Sequence, residues 1–210
     1  MIKIVIADDH AIVRAGLKQI LSDIPDMEIF GEAGSGDEVL KFIRDKGWNI
    51  MLLDIAMPGK NVLELIKLAK HQSPQLPILI LSMYPEDQYA IRMLRAGADG
   101  YLTKESAPEQ LVSVIRKVAK GGKYISPTMT DKLIEELHPN QEKLLHTTLT
   151  DREFQVFRGL CDGISITDLA RHMSLSTKTI STYRSRLMRK MNMSRNAEII
   201  HYAIKNNLFN

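Results

Sequence analysis

Cysteine is almost missing from this chain: Cys161 stands alone among 210 residues. One thiol cannot close an intramolecular disulfide, which excludes a disulfide-stapled scaffold and suits a reducing cytoplasm. No apolar run reaches the ~18 residues that a bilayer-spanning helix needs, and the apolar start Ile2–Ala7 meets two acids instead of a cleavage site. Neither export nor membrane insertion is expected. Acid is also missing over one long stretch. Between Asp168 and Glu198 the charged residues are Arg171, Lys178, Arg184, Arg186, Arg189, Lys190 and Arg195. The overall net charge of +3 conceals this, because residues 1–126 balance to zero while residues 144–210 carry +5. Such a stripe is the footprint of a polyanion partner, although most charge runs are only solvated faces.

What is plentiful is apolar side chain, 44% of the residues, ample core for one or two domains. The run Asn49-Ile50-Met51-Leu52-Leu53-Asp54 reads as a strand buried on both faces, the kind found in helix-covered parallel sheets. Asp54 then stands at its carboxyl end, where ligands collect in open α/β sheets. Ile2–Ala7 likewise runs into Asp8-Asp9, so parallel neighbouring strands would bring three carboxylates to one edge. Like charges that close need a cation among them, and a hard divalent ion, Mg2+ for preference, suits oxygen ligands. Pro77–Ser82 and Asp99–Lys104 would add the Ser82 hydroxyl and the Lys104 ammonium to the same rim. This is the set a phosphoryl-transfer site needs, with Asp54 as nucleophile.

Strands and helices alternate through residues 1–122. Helices are expected over Ile12–Leu21, over Val39–Ile43 after the turn Gly34-Ser35-Gly36, over Leu63–Ala69, over Glu86–Ala96 and over Glu109–Lys120; a second strand spans Met27–Ala33. Ser106 and Glu109 have capping-box spacing for the last of these helices. Five βα units predict an α/β doubly wound, five-stranded parallel sheet of the flavodoxin type, order 2-1-3-4-5.

In combination, Asp8-Asp9, Asp54, Ser82, Tyr101 and Lys104 resemble the receiver domain of two-component response regulators. The resemblance implies that Asp54 accepts a phosphoryl group from a sensor histidine kinase. It also implies that Asp9 and Asp54 bind Mg2+ directly, Asp8 through water, and that the Ala56 carbonyl completes the shell. Ser82 and Tyr101 would be a switch pair, the hydroxyl moving toward the phosphoryl group and the ring into the space it leaves. Ala56 and Tyr84 stand where relatives tune loss of the phosphoryl group, and Tyr84 is expected to shield it for minutes or longer. One departure lies after Pro58-Gly59, where relatives place an acid and a second glycine but this chain has Asn61-Val62. Val62 cannot take a positive φ cheaply, so a different loop shape is expected.

Residues 123–147 change character. A short helix is expected over Thr130–Leu137, with a polar, flexible hinge after His138-Pro139-Asn140; His138 and His146 read as surface histidines. A small all-α domain, 148–210, then opens on the capping box Thr150–Glu153, flanked by a Leu149/Phe154 staple. Asp162-Gly163 stops that helix, Ser165–His172 forms a second, and a third starts from Ser176 and runs to about Met193, a helix-turn-helix. On its wheel Ile180, Tyr183, Leu187 and Met191 face the core, opposite Lys178, Ser181, Thr182, Ser185 and Arg189, with Arg186 at the edge. Small polar side chains framed by cations can enter a major groove. Met173, Met188, Met191 and Met193 read as core packing.

Leu149–Glu153, Ile166–Ala170, Ser176-Thr177-Lys178-Thr179-Ile180 and Leu187–Met191 resemble the LuxR-type DNA-binding domain. Receiver plus this module is the architecture of the NarL/FixJ-type response regulators. The resemblance implies a DNA face of Lys178, Thr179, Ser181, Thr182, Arg184, Ser185, Arg186, Arg189 and Lys190, with Ser181, Thr182 and Ser185 near bases and the cations mostly on phosphates. It implies a final helix, Asn196–Lys205, that pairs two copies on an inverted-repeat operator, although core packing explains Ile199, Ile200 and Ala203 as well. The expectation is a cytoplasmic transcription factor, not an enzyme beyond phosphoryl transfer and autodephosphorylation at Asp54. Its partners would be a histidine kinase, double-stranded DNA, a second copy when active and, as a further candidate, RNA polymerase. A phosphohydrolase or a constitutive DNA binder would share parts of this pattern. The basic module argues against the first, the complete acid, hydroxyl and lysine set against the second.

Overall fold

Each strand of the first unit is followed by a helix: β1 (Ile2–Ala7), α1 (Ala11–Ser22), β2 (Met27–Ala33), α2 (Gly36–Arg44), β3 (Ile50–Leu53), α3 (Val62–Gln72), β4 (Ile78–Ser82), α4 (Glu86–Ala96), β5 (Gly100–Thr103) and α5 (Pro108–Ala119). The structure, a computed structural model, describes residues 1–45, 47–127, 129–130, 144–206 and 208, with the backbone alone at 87, 88 and 151. All pairings are parallel and the order is β2-β1-β3-β4-β5, as the alternation predicts. β3 and β4 are buried along their whole length, which is why they carry no polar residue before their last turn. β2 is an edge strand and alternates, turning Glu28 and Glu32 outward, a charge pattern that discourages pairing with other chains. Its register slips by one at Phe30.

The loop after β3 is set by its neighbours. The Gly36 N–H donates to the Pro58 carbonyl at 2.9 Å, and a Cβ on Gly36 would lie 2.4 Å from the Lys60 carbonyl oxygen. Only glycine fits there. The positive φ of this loop falls on Gly59, at 87°. Val62 is simply the first residue of α3, capped by Asn61, whose Oδ1 accepts from Leu63 N at 2.8 Å and Glu64 N at 3.4 Å. The β-branched residue therefore meets no strained backbone, and the departure from the family pattern is absorbed by a helix cap.

The capping box expected at Ser106 does not form. Ala107 is the N-cap of α5 because Pro108, with fixed φ and no N–H, takes the first helical position. Ser106 Oγ lies instead 3.2 Å from Thr103 Oγ1. Beyond α5 the chain returns to the sheet: Tyr124 bridges Gly100 and its N–H donates to the Asp99 carbonyl at 2.9 Å, covering the outer edge of β5. Ser126 Oγ then donates to Glu86, and Met129 is buried. The short helix expected over Thr130–Leu137, and His138, lie outside the described residues beyond Thr130.

The chain divides into two compact units, 1–137 and 138–210. The second contains a 3-10 turn (Leu145–Thr148) followed by α6 (Asp151–Cys161), α7 (Ile166–His172), α8 (Thr177–Met191) and α9 (Asn196–Lys205). The α6 capping box is complete, with Leu149 and Phe154 both buried beside it. Phe157, Ile180, Leu187, Met191 and Ile199 form the centre of the core, each at most 1% exposed. His146 is not a plain surface histidine. It is half-buried, and its Nδ1 lies 3.1 Å from the Tyr202 hydroxyl, so His146 itself is tied to α9. Among the described residues no helix is long and apolar enough to cross a membrane.

Candidate functional site

The polar residues of the first unit converge because each continues the sheet ladder by one hydrogen bond past its strand. Asp8 N donates to the Ala33 carbonyl at 3.0 Å, Asp54 N to Ala7 at 2.8 Å, and Lys104 N to Ser82 at 2.8 Å. Parallel strands ending level therefore deliver their side chains to one rim. Lys104 Nζ reaches between two carboxylates, 2.6 Å from Asp8 Oδ2 and 3.2 Å from Asp54 Oδ1, with all three side chains less than 10% exposed. Burial pushes the Asp54 carboxyl above its ordinary value; the Asp8 charge adds to this and the Lys104 ammonium opposes it.

Asp8, Asp9, His10 and Asp54 offer ligand atoms that all lie within 4.8 Å of one another. Three hard carboxylate oxygens around one point, against a single ammonium, are the donor set that an Mg2+-sized cation requires. Ala56 is exposed two residues past Asp54. His10 went unnoticed in the sequence, where it reads only as the residue before α1. Its position directly after the acid pair was the available signal.

Ser82 and Tyr101 are joined through Tyr84. The Tyr84 N–H donates to Ser82 Oγ at 3.1 Å, and the Tyr101 hydroxyl donates to the Tyr84 carbonyl at 2.8 Å. The Tyr101 ring is already inside, 1% exposed. Burial drives its phenol far above the ordinary value, against the lowering effect of a hydrogen bond with Ser82. The Tyr84 ring stacks on Tyr89 at 4.9 Å, which ties it to α4.

In the second unit Lys178, Ser181, Thr182, Ser185, Arg186 and Arg189 are all exposed on α8, while Ile180, Leu187, Met188 and Met191 are buried. The Thr182 and Ser185 hydroxyls donate back to the Lys178 and Ser181 carbonyls, each at 3.0 Å, leaving their oxygen lone pairs outward as acceptors.

Two family descriptions match this chain: the response regulator receiver domain over residues 4–116, and bacterial regulatory proteins of the luxR family over residues 147–203. The chain is a response regulator. It is 32% identical to response regulator UvrY of Escherichia coli K12, over 100% of this chain and 97% of that protein. To the oxygen regulatory protein NreC of Staphylococcus carnosus it is 34% identical, over 98% of both. Among solved structures, the RcsB response regulator of Salmonella typhimurium superposes with a TM-score of 0.70 at 25% identity, covering 97% of each chain. RcsB solved in complex with DNA matches with a TM-score of 0.59 at 25% identity, over 97% of this chain and 98% of that one.

Three members of the DNA face that the resemblance implies for this response regulator, none of them on the polar side of the wheel, have partners within the unit. Lys190 Nζ turns back to Glu153 Oε2 at 2.6 Å and the Thr148 carbonyl at 3.3 Å. Arg184 Nε and one terminal nitrogen donate to Asn196 Oδ1 at 3.0 and 2.7 Å. Thr179 is half-buried, with Oγ1 2.7 Å from Ser176 Oγ in the helix cap. A wheel cannot reveal these partners, because they come from other helices or from the cap.

Proposed function

We propose that Asp54 is the phosphoacceptor through which a sensor histidine kinase controls transcription by this protein. Its carboxylate would attack the phosphorus of a phosphohistidine; the P–N bond breaks, its electron pair stays on the imidazole and an acyl phosphate forms on Asp54. The observation that carries this reading is the Lys104 bridge between Asp8 and Asp54, a fixed cation between the two buried carboxylates that follow the interior strands β1 and β3. Asp8, Asp9, Asp54 and the Ala56 carbonyl would hold Mg2+, which supplies charge neutralisation for the incoming phosphoryl group. Loss of that group by hydrolysis is the other chemistry the site needs.

Ser82, Tyr101 and Lys104 would read the added charge. Lys104 would exchange an aspartate partner for a phosphoryl oxygen, and the Ser82 hydroxyl would turn toward the same group. The Tyr101 ring, already inside, would be held rather than swung. The phosphorylated form would favour a homodimer that reads an inverted-repeat operator through Lys178, Ser181, Thr182, Ser185, Arg186 and Arg189. RcsB, a neighbour in structure, engages DNA. This assigns a receiver to 1–122, a linker to 123–147 and the helix-turn-helix domain to 148–210, in a cytoplasmic protein.

Labelling with a radioactive small phosphodonor and Mg2+ tests the first half, since Asp54→Asn should abolish incorporation. A mobility-shift titration on genomic fragments with and without acetyl phosphate tests the second. Labelling that survives the substitution, or affinity indifferent to acetyl phosphate, overturns the corresponding half.

A further inference from the structure

His10 lies beside the acid cluster yet has no part in the reading above. Its backbone N–H donates to Asp8 Oδ1 at 2.9 Å, and its ring Nδ1 lies 2.7 Å from Asp9 Oδ1 and 3.4 Å from Asp8 Oδ1. The three carboxylates are not equally secured. Asp8 is clamped by Lys104 on one oxygen and by the His10 N–H on the other, and Asp54 is buried against Lys104. Asp9 has a side chain 30% exposed, and among the described residues its carboxylate meets one side chain, the His10 ring. Left alone, an exposed carboxylate samples several rotamers, and a cation must order it on binding.

We propose that His10 is a positioning residue for the divalent cation, resting on the Mg2+ reading above: its Nδ1–H, donated to Asp9, holds that carboxylate toward Asp8 and Asp54 before the ion arrives. The nitrogen facing the cluster is the one engaged with Asp9, and Mg2+ prefers oxygen, so the ring orients a ligand and is not one itself. The ring is 62% exposed and makes no capping bond to α1, so removing it leaves the helix start intact. The acid pair is otherwise stitched to α1 through the backbone, with the His10 carbonyl accepting from Val13 N and Arg14 N, and an Arg14 guanidinium nitrogen donating to the Asp8 carbonyl at 2.7 Å.

Titration calorimetry of the full chain with MgCl2 and, separately, MnCl2 tests this on three proteins: wild type, His10→Ala and His10→Asn. The asparagine amide offers an N–H at nearly the place of Nδ1. Loss of a partner that orients a metal ligand costs about tenfold or more in affinity; His10→Ala should therefore weaken Mg2+ about tenfold, and Mn2+ by the same factor, without moving the metal-free thermal midpoint. His10→Asn should restore most of the loss. Unchanged Mg2+ affinity in His10→Ala overturns the inference alone. So does a loss much larger for Mn2+ than for Mg2+, which would make the ring a ligand, or a failure of His10→Asn to rescue. A wild-type chain that binds neither ion overturns the cation reading and this inference with it.

Discussion

Lys190 donates to Glu153 across 2.6 Å, linking the last turn of α8 to the capping box that starts α6. The glutamate side chain is 4% exposed and the lysine 34%, so the pair is part of the domain's interior edge and not a loose surface contact. Its neighbour Arg189 is exposed. Adjacent cations on one helix thus have different duties.

Salt dependence separates them. Binding of a duplex by Arg189→Ala should show a log K against log salt slope reduced by about 1, as for one lost phosphate contact. Lys190→Ala should leave that slope in place and lower the stability of the helical unit instead. Anisotropy titrations across a salt series, beside urea denaturation, measure both.

The same pair makes the helical unit acid-sensitive. Burial alone would raise the Glu153 carboxyl, but hydrogen bonds from Lys190 and Thr150 outweigh it and hold the folded value below the ordinary 4.5. A folded pKa below the unfolded one contributes stability that is full above about pH 4.5 and lost as pH falls through the folded value. Glu153→Gln keeps the reach back to the N-cap but not the charge, and should flatten this pH dependence. Glu153→Ala loses the box as well, at about 1 kcal/mol more. Denaturation followed by circular dichroism between pH 6 and 3 reads both effects.

At Asp54 the sign is reversed. Because its folded pKa is raised, the ionised carboxylate works against folding at neutral pH, and the penalty disappears only on protonation. Asp54→Asn removes that charge while Lys104 keeps Asp8. The first unit should be more stable than wild type at pH 7 and show a higher melting temperature. A lower melting temperature than wild type would contradict the burial penalty.

α9 carries two neighbouring isoleucines with unlike roles. Ile199 is fully buried and Ile200 is 37% exposed. Ile199→Ala should cost about 2–5 kcal/mol in the monomer. Ile200→Ala should stay within about 0.5 kcal/mol, any larger effect being confined to self-association. Chemical denaturation at low protein concentration and sedimentation at high concentration distinguish the two.

Cys161 should be inert. Burial first, then the neighbouring Asp162 charge, push its thiol up to about 12, so little thiolate exists at pH 8. Reaction with a disulfide reagent should be slow in the folded chain and rapid in urea.

Much of this was legible along the chain. The apolar runs ending in Asp8, Asp54, Ser82 and Lys104 marked the strands and the rim, because a strand buried on both faces stays apolar until its last position or the residue beyond it. Thr150 and Glu153 marked a helix start, because a cap is a contact between residues three apart. Ser106 misled for a local reason too: proline's fixed φ outranked a hydroxyl two positions earlier.

Sequence by itself thus determined the elements, their alternation and the acids, hydroxyl and lysine of the rim, since these follow from periodicity and from interactions within a turn or a strand. Tertiary structure alone decided that Lys190 meets Glu153 while Arg189 faces outward, that Ile199 is core and Ile200 is not, that His146 joins Tyr202, and that His10 rests on Asp9. Those outcomes depend on side chains from separate elements, or from the sharp entry into a helix, competing for the same few ångströms. The one-dimensional order of residues holds no measure of that distance.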